Sequence, residues 1–217
     1  MTNTAIVIGA TGLVGRSLVD QLANAGHISS VITLTRRPAQ HTSTKVVNHI
    51  VDFSHIEDYA SLFKADFLFS CLGTTRKQAG SIAAQREVDL EYQFKAAQIA
   101  AQNGIHHYLL VSSSGANEKS SSPYLKMKGE LEYRIQSLPF KRISVFQPSL
   151  LMGRRETFRV GEKIASLVLP VLNIIPGLRR YRPISGEQVA EKMIQATQQA
   201  GAPLEYFRLD EIFINLN

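Results

Sequence analysis

The chain has 217 residues, of which 44% are hydrophobic and 19% are charged, a composition that is typical of one folded domain and excludes an intrinsically disordered protein. The formal net charge is +6, but no long block of like charges occurs, so we expect no nucleic acid as a partner. The single cysteine, Cys71, excludes an internal disulfide and favours a reducing compartment, and no secretory signal is visible. We therefore expect a cytoplasmic protein.

Apolar runs of strand length alternate along the chain with segments whose apolar residues recur at helical spacing. The predicted strands are residues 5–8, 31–35, 46–51, 67–72, 108–111, 143–146 and 211–216. The predicted helices are residues 13–25, 82–103, 124–138 and 186–200. Because strands that alternate with helices form βαβ units, we predict an α/β fold with a doubly wound parallel sheet and helices on both faces.

Residues 149–185 break this alternation, and we predict that they form a small substrate-side insert or lid within a single domain spanning residues 1–217. Within the insert, residues 164–178 are strongly apolar, but Pro170 and Pro176 interrupt them and they are too short to span a membrane. We expect this segment to be a lid, a pocket wall or the contact of a homodimer, and we expect no association with a membrane.

A glycine-rich turn follows the first predicted strand and opens the first predicted helix. Gly9 allows the chain to turn sharply, Gly12 lets a phosphate approach the backbone, and Gly15 lets the helix lie close to the sheet. The first N–H groups of the helix have no partner inside it, so they can bind a pyrophosphate. In this strand–turn–helix context the glycines indicate a dinucleotide site of the Rossmann type, with a purely structural turn as the alternative.

The end of the second predicted strand indicates which dinucleotide binds. An NAD site has an Asp or Glu about 20 residues beyond the glycine turn to hold the ribose 2′-hydroxyl. Arg36 and Arg37 occupy that place here, and a guanidinium can bind a 2′-phosphate, so we predict NADP(H) rather than a solvated basic pair. Asp52, which follows the third predicted strand, is either an acceptor for the adenine amino group or the cap of a turn.

Tyr124 and Lys128 lie four residues apart at the start of a predicted helix and therefore share one helix face. A phenol with a pKa of ~10 is a poor acid at neutral pH, but a nearby ammonium and a positive nicotinamide lower that pKa. A tyrosine in this setting can exchange a proton with a carbonyl oxygen, and a hydroxyl from Ser112 or Ser113 can hold the same oxygen. The alternatives are a packing tyrosine and an ordinary polar loop.

These motifs together resemble the short-chain dehydrogenase/reductase superfamily, in its extended and atypical branches. Residues 71–80 (CLGTTRKQAG), 110–117 (LVSSSGAN) and 124–130 (YLKMKGE) look most like the Tat-interacting-protein group of atypical reductases. The resemblance covers nearly the whole chain. It implies an NADPH-dependent oxidoreductase in which Ser113, Tyr124 and Lys128 form the catalytic site, the loop after residue 70 passes under the cofactor, and Pro148 and the residues after it line the nicotinamide end.

The motifs and the resemblance together define the set of residues expected to contact NADP(H). It consists of Gly9, Thr11, Gly12, Leu13, Val14, Gly15, Arg36, Arg37, Asp52, Phe53, Cys71, Leu72, Gly73, Thr74, Lys128, Pro148, Leu150 and Leu151. We predict a reductase of a small carbonyl-type molecule, without a metal ion. The alternatives are an NADPH-binding redox sensor without turnover and, since the C-terminal part is short for a large substrate, less favourably an epimerase of nucleotide sugars.

Overall fold

The computed structural model describes residues 2–152 and 179–214. Its strands are β1 (Asn3–Ile8), β2 (Ile28–Thr35), β3 (Val46–Ile50), β4 (Phe67–Ser70), β5 (His107–Val111), β6 (Arg142–Gln147), β7 (Leu151–Met152), β8 (Ile184–Ser185) and β9 (Leu204–Arg208). Its α-helices are α1 (Leu13–Asn24), α2 (Arg76–Ala79), α3 (Ile82–Arg86), α4 (Tyr92–Gln102), α5 (Pro123–Ile135) and α6 (Gly186–Gln198). No helix in this part of the chain is long and apolar enough to cross a membrane.

Within the described ranges, seven strands form one sheet in the order β3-β2-β1-β4-β5-β6-β9, and every neighbouring pair is parallel. The chain first builds outwards from β1 to β3 and then crosses to β4 on the other side of β1. The predicted doubly wound parallel sheet is therefore confirmed. The crossing opens a crevice beyond the carboxyl ends of β1 and β4, where such sheets bind ligands.

Alternate residues of β1 belong to two different cores, because successive side chains of a strand point to opposite faces. Ala5 and Val7 pack with α1 and α6, whereas Ile6 and Ile8 pack with α4 and α5. All four side chains are fully buried. This explains why the strand reads as a continuous apolar run rather than as an alternating pattern.

The long predicted helix over residues 82–103 is a helical segment with an irregular middle. The α-helical parts α3 and α4 are joined by a π-helical turn, Glu87–Glu91. Such turns are rare and often occur at functional sites. This one carries a fully buried carboxylate, Asp89, towards the carboxyl edge of the sheet.

The prediction of a last strand over residues 211–216 is wrong. The final strand of the sheet is β9, while Leu209–Ile212 form a 3-10 helix and residues 215–217 lie outside the described ranges. β9 is an edge strand whose side chains are half-buried or exposed, so it lacks a clear apolar signal. Ile212 is fully buried, but it contributes to the core from the 3-10 helix.

Several smaller differences concern the ends of elements. The predicted helix over residues 124–138 ends at Ile135, and the one over residues 186–200 ends at Gln198. A 3-10 helix, Phe53–Leu62, and the short helix α2 were not predicted. The apolar segment of residues 164–178 lies outside the described residues, so its prediction as a lid, pocket wall or subunit contact stays a prediction.

Candidate functional site

The glycine turn joins β1 to α1 at the crevice. Gly9 has a positive φ of 80°, and a Cβ there would overlap the backbone of Cys71. A Cβ on Gly15 would overlap the Gly9 carbonyl, so both positions need glycine for the turn to pack. Gly12 is the N-cap of α1 and provides no side-chain cap. The first N–H groups of α1 therefore face the crevice, and the cap residue offers them no side-chain acceptor.

The other predicted residues of the turn have different environments. Thr11 is exposed and Leu13 is half-buried, whereas the Val14 side chain is 5% exposed and belongs to the core. The Leu13 carbonyl oxygen lies 2.6 Å from the place of a Cβ on Gly186, so α6 packs directly against the turn. Thus Val14 can offer a ligand only its backbone, while Thr11 can offer its side chain.

Arg36 and Arg37 follow β2 at the same edge, and both are exposed. The Thr35 hydroxyl donates a hydrogen bond of 2.7 Å to the Arg37 carbonyl oxygen and thereby shapes the turn. Among the described residues, neither guanidinium forms an ion pair. Two cations at this position suit an anionic group.

Asp52 caps the 3-10 helix that follows it. Its carboxylate accepts hydrogen bonds from the Ser54 N–H at 2.9 Å and the Ser54 hydroxyl at 2.6 Å, and these bonds lower the pKa of Asp52. Phe53 is buried and its ring stacks on Tyr92, with the centroids 6.1 Å apart. The turn-cap alternative for Asp52 is therefore present in the structure, and Phe53 offers a cofactor only its backbone.

The loop after β4 passes beside the glycine turn. The Cys71 N–H donates to the Ile8 carbonyl oxygen at 2.9 Å, and burial raises the pKa of the Cys71 thiol to about 12, which keeps it protonated at neutral pH. Leu72 is half-buried and packs against the core, whereas Gly73 is exposed. The Thr74 N–H donates to Asp89 Oδ2 at 3.0 Å. The π-helical turn thus supports this loop.

Lys128 and Asp89 form an ion pair inside the protein. Their side chains are 3% and 0% exposed, and Lys128 Nζ lies 3.5 Å from Asp89 Oδ1. Lys128 Nζ also donates to the Val111 carbonyl oxygen at 3.4 Å, at the end of β5. Burial raises the pKa of Asp89, and the Lys128 ammonium opposes this shift. Sequence reasoning found Lys128 but missed Asp89.

Tyr124 and Ser113 are more exposed than Lys128 and Asp89. Tyr124 is in the first turn of α5, one helical turn before Lys128, and is 36% exposed. Ser113 is half-buried, and within residues 2–152 and 179–214 its hydroxyl makes only a long contact of 3.4 Å to the Ser114 carbonyl oxygen. The Ser112 hydroxyl is buried and donates to Glu132 Oε1. Of the two alternative serines, Ser113 has the hydroxyl that is less engaged.

Glu132 is the second buried carboxylate that sequence reasoning missed. It lies on α5 one turn beyond Lys128, and Gln147 Nε2 donates to both of its oxygens at 3.0 Å. Burial raises the pKa of Glu132, and the bonds from Gln147 and Ser112 oppose this shift. Its spacing of four residues from Lys128 was the one signal that could have identified it.

The chain after β6 completes the site. Pro148 is buried, and its carbonyl oxygen accepts a hydrogen bond of 3.0 Å from the Ser114 N–H, which ties the two loops together. Leu150 is 57% exposed, and Leu151 is half-buried in the short pair of β7 with β8. Of the predicted insert, residues 149–152 and 179–185 are described.

Comparison with known proteins identifies relatives along most of the chain. The family model for NAD(P)H-binding proteins matches residues 9–137. Protein HTATIP2 of Rattus norvegicus is 37% identical over 170 residues, covering 76% of this chain and 70% of that protein. Protein FMP52-1, mitochondrial, of Scheffersomyces stipitis is 32% identical over 203 residues, covering 91% of this chain and 89% of that protein.

Solved structures show the same fold at much lower identity. MoeE5 in complex with UDP-glucuronic acid and NAD matches with a TM-score of 0.74 at 15% identity, covering 95% of this chain and 76% of that chain. The UDP-glucose 4-epimerase of Thermus thermophilus in complex with NAD matches with a TM-score of 0.70 at 16% identity, covering 95% and 77%. Identities this low establish the architecture and leave the activity open.

The names of the relatives contradict the predicted cytoplasmic localisation. The FMP52 proteins of Coccidioides immitis and Candida glabrata, like that of S. stipitis, are named mitochondrial. The prediction of a cytoplasmic protein is therefore wrong. Its basis was the single Cys71 together with the lack of a visible secretory signal, and neither distinguishes one reducing compartment from another.

Proposed function

The chain belongs to the NAD(P)H-binding family, as its resemblance to the Tat-interacting-protein group predicted, and we propose that it is an NADP(H)-dependent oxidoreductase acting on a small carbonyl-type substrate. One observation carries this proposal. The buried Lys128 ammonium lies at the end of β5, on the same helix that carries the exposed Tyr124 one turn earlier. This supports the proposal that Tyr124 acts as a proton donor beside a fixed positive charge, at the edge where such sheets bind ligands.

The glycine turn fits the pyrophosphate of a dinucleotide. Gly12, the N-cap residue, has no side chain to cover the N-terminus of α1. The first helical N–H groups, with the positive end of the helix dipole, favour an anion there. Arg36 and Arg37 would bind the 2′-phosphate, which gives the preference for NADP(H) over NAD(H). The bound nicotinamide would supply or accept the hydride.

The side chains of this protein would transfer the proton and hold the substrate. Tyr124 would donate its phenolic proton to the carbonyl oxygen of the substrate, and the Lys128 ammonium would stabilise the phenolate that remains. The Ser113 hydroxyl would donate a hydrogen bond to the same oxygen and so hold the carbonyl in place. Pro148, Leu150 and Leu151 would line the nicotinamide end of the crevice.

Removing the Tyr124 hydroxyl tests this mechanism. A panel of quinones, aldehydes and ketones is first assayed for NADPH oxidation by absorbance. With a substrate in hand, Tyr124→Phe should lower kcat and kcat/KM together, by ~10²–10⁴-fold, because the phenol acts in the transition state. Tyr133→Phe is the matched control, since Tyr133 lies on the same helix and is 67% exposed. NADPH affinity should be unchanged in both variants.

Two outcomes would contradict the proposal. A wild-type rate for Tyr124→Phe would show that another group supplies the proton. Tight NADPH binding with no turnover of any compound in the panel would favour the alternative of a redox sensor, which needs the cofactor site but no proton donor.

A further inference from the structure

Glu132 connects the ends of two neighbouring strands beneath the candidate site. Its carboxylate accepts the hydroxyl of Ser112, the residue after β5, and the amide of Gln147, the last residue of β6. The Glu132 side chain is 6% exposed. Buried charged groups are costly unless they are well hydrogen-bonded, and this one accepts from donors on both of its oxygens.

The hydrogen bonds around Glu132 continue to the edge strand β9, and backbone hydrogen bonds join the ends of β5 and β6 beside them. The Gln147 side-chain oxygen accepts a hydrogen bond of 3.2 Å from Arg208 Nε at the end of β9. The Ser112 N–H donates to the Phe146 carbonyl oxygen at 2.7 Å, and the Ser114 N–H donates to the Pro148 carbonyl oxygen. Ser113 therefore lies between two anchored residues.

We propose that Glu132 is a positioning residue. By accepting hydrogen bonds from the Ser112 hydroxyl and the Gln147 amide, it fixes the loop of residues 112–114 so that the Ser113 hydroxyl can bind the oxygen of the substrate. This inference rests on the proposed function, because it assumes that Ser113 binds the substrate carbonyl. It assigns different roles to the two serines. Ser112 holds the loop in place through its hydrogen bond to Glu132, whereas Ser113 binds the oxygen of the substrate.

Glu132→Leu keeps most of the side-chain volume but removes both acceptors. A misplacement of about 1 Å in a catalytic geometry can cost about 10²-fold, so kcat should fall roughly 10- to 100-fold. NADPH affinity should stay within about twofold, since the hydrogen-bond partners of Glu132 are Ser112 and Gln147, and neither belongs to the residues predicted to contact NADP(H). Glu132→Gln, which keeps one acceptor oxygen, should restore a large part of kcat.

A double-mutant cycle tests whether Glu132 acts through Ser112. Ser112→Ala alone should lower kcat, but it should add little to Glu132→Leu, because the hydroxyl has then lost its acceptor. Ser113→Ala should also lower kcat, but by less in the Glu132→Leu and Ser112→Ala backgrounds than in the wild type, because Ser113 is already misplaced there. Effects of Ser112→Ala and Glu132→Leu that multiply would overturn the inference. Glu130→Gln is the matched control, because Glu130 lies on the same helix and pairs with Arg86 at the surface.

A measurement without turnover separates this inference from the proposed function. Hydrogen exchange followed by mass spectrometry should show faster exchange of the peptide spanning residues 112–116 in Glu132→Leu, with Glu132→Gln and Glu130→Gln close to wild type. Unchanged exchange in Glu132→Leu would overturn the inference whether or not a substrate is known. If Tyr124→Phe keeps the wild-type rate, the proposed function fails; if only Tyr124→Phe loses rate and Glu132→Leu does not, this inference alone fails.

Discussion

Replacing Asp89 by asparagine tests how much of the stability depends on the buried ion pair. The asparagine side chain would keep an oxygen that can accept from the Thr74 N–H, so the loop after β4 keeps its support. The change removes the negative charge and puts the amide NH2, a donor, in place of the Oδ1 atom that lies beside Lys128. The ammonium would be left 3% exposed, and its remaining acceptor in the described part of the chain would be the Val111 carbonyl oxygen at 3.4 Å.

The size of the effect follows from the burial of both partners. Removing one partner of a buried pair costs about 3–5 kcal/mol, because the other charge stays buried without compensation. The separation of 3.5 Å between Lys128 Nζ and Asp89 Oδ1 is long for a charge-assisted hydrogen bond, which places the expected loss at the lower end. We expect a loss of about 3 kcal/mol, which lowers Tm by roughly 6–12 °C in a domain of this size.

Urea unfolding at pH 7 measures this loss, with Asp58→Asn as the control because Asp58 is an exposed acid outside the site. The control should stay within about 0.5 kcal/mol of wild type. Lys128→Met removes the ammonium, and the double variant should recover about 1–3 kcal/mol relative to the sum of the single variants. If Asp89→Asn matched the control, or if the two single effects were additive, the ion pair would not stabilise the fold.

The remaining predictions concern the cofactor and His107, the first residue of β5. Arg36→Ala should weaken NADPH binding by about 1.5–3 kcal/mol, roughly tenfold to a hundredfold, and leave NADH nearly unchanged in a fluorescence titration; equal affinities of the wild type for both would contradict the predicted preference. His107 is 3% exposed, and burial, Arg142 and His106 lower its pKa to about 3. The folded state therefore favours the neutral imidazole. The stability that this preference contributes is lost as the pH falls below 6.5, where the unfolded chain binds the proton. From pH 7 to pH 5 the wild type should therefore lose about 2 kcal/mol more than His107→Gln in urea unfolding, whereas the exposed control His55→Gln should behave as wild type.

Much of the fold could be predicted because its signals are local. The fully buried strand β1 reads as an apolar run, and the glycines that follow it each meet a steric demand, such as the approach of Cys71 to Gly9. The spacing of Tyr124 and Lys128 is likewise a local helical pattern. Family membership and the parallel sheet followed from these signals.

The buried carboxylates could not be predicted because their burial is set by distant parts of the chain. Asp89 is directed inward by a π-helical turn, which has no clear sequence signature, and its partner is 39 residues away. Glu132 follows a half-buried glutamate at position 130, and the local pattern distinguishes the two only by the four-residue spacing of Glu132 from Lys128. That spacing places Glu132 on the same helix face as Lys128 but does not show that its side chain is buried. The edge strand β9 was missed for a related reason, since its residues are only partly buried.

The helix α5 connects the parts of the site that the sequence supplies from separate segments. Tyr124, Lys128 and Glu132 follow one another at intervals of four residues, so they form one stripe along the helix, exposed at its N-terminal end and buried further along. Lys128 is joined through Asp89 to the loop after β4, and Glu132 is joined to the ends of β5 and β6. The position of this one helix therefore determines where the proposed proton donor lies relative to the loop after β4 and to residues 112–114. A rigid helix with buried anchors can hold such a geometry more closely than three independent loops could.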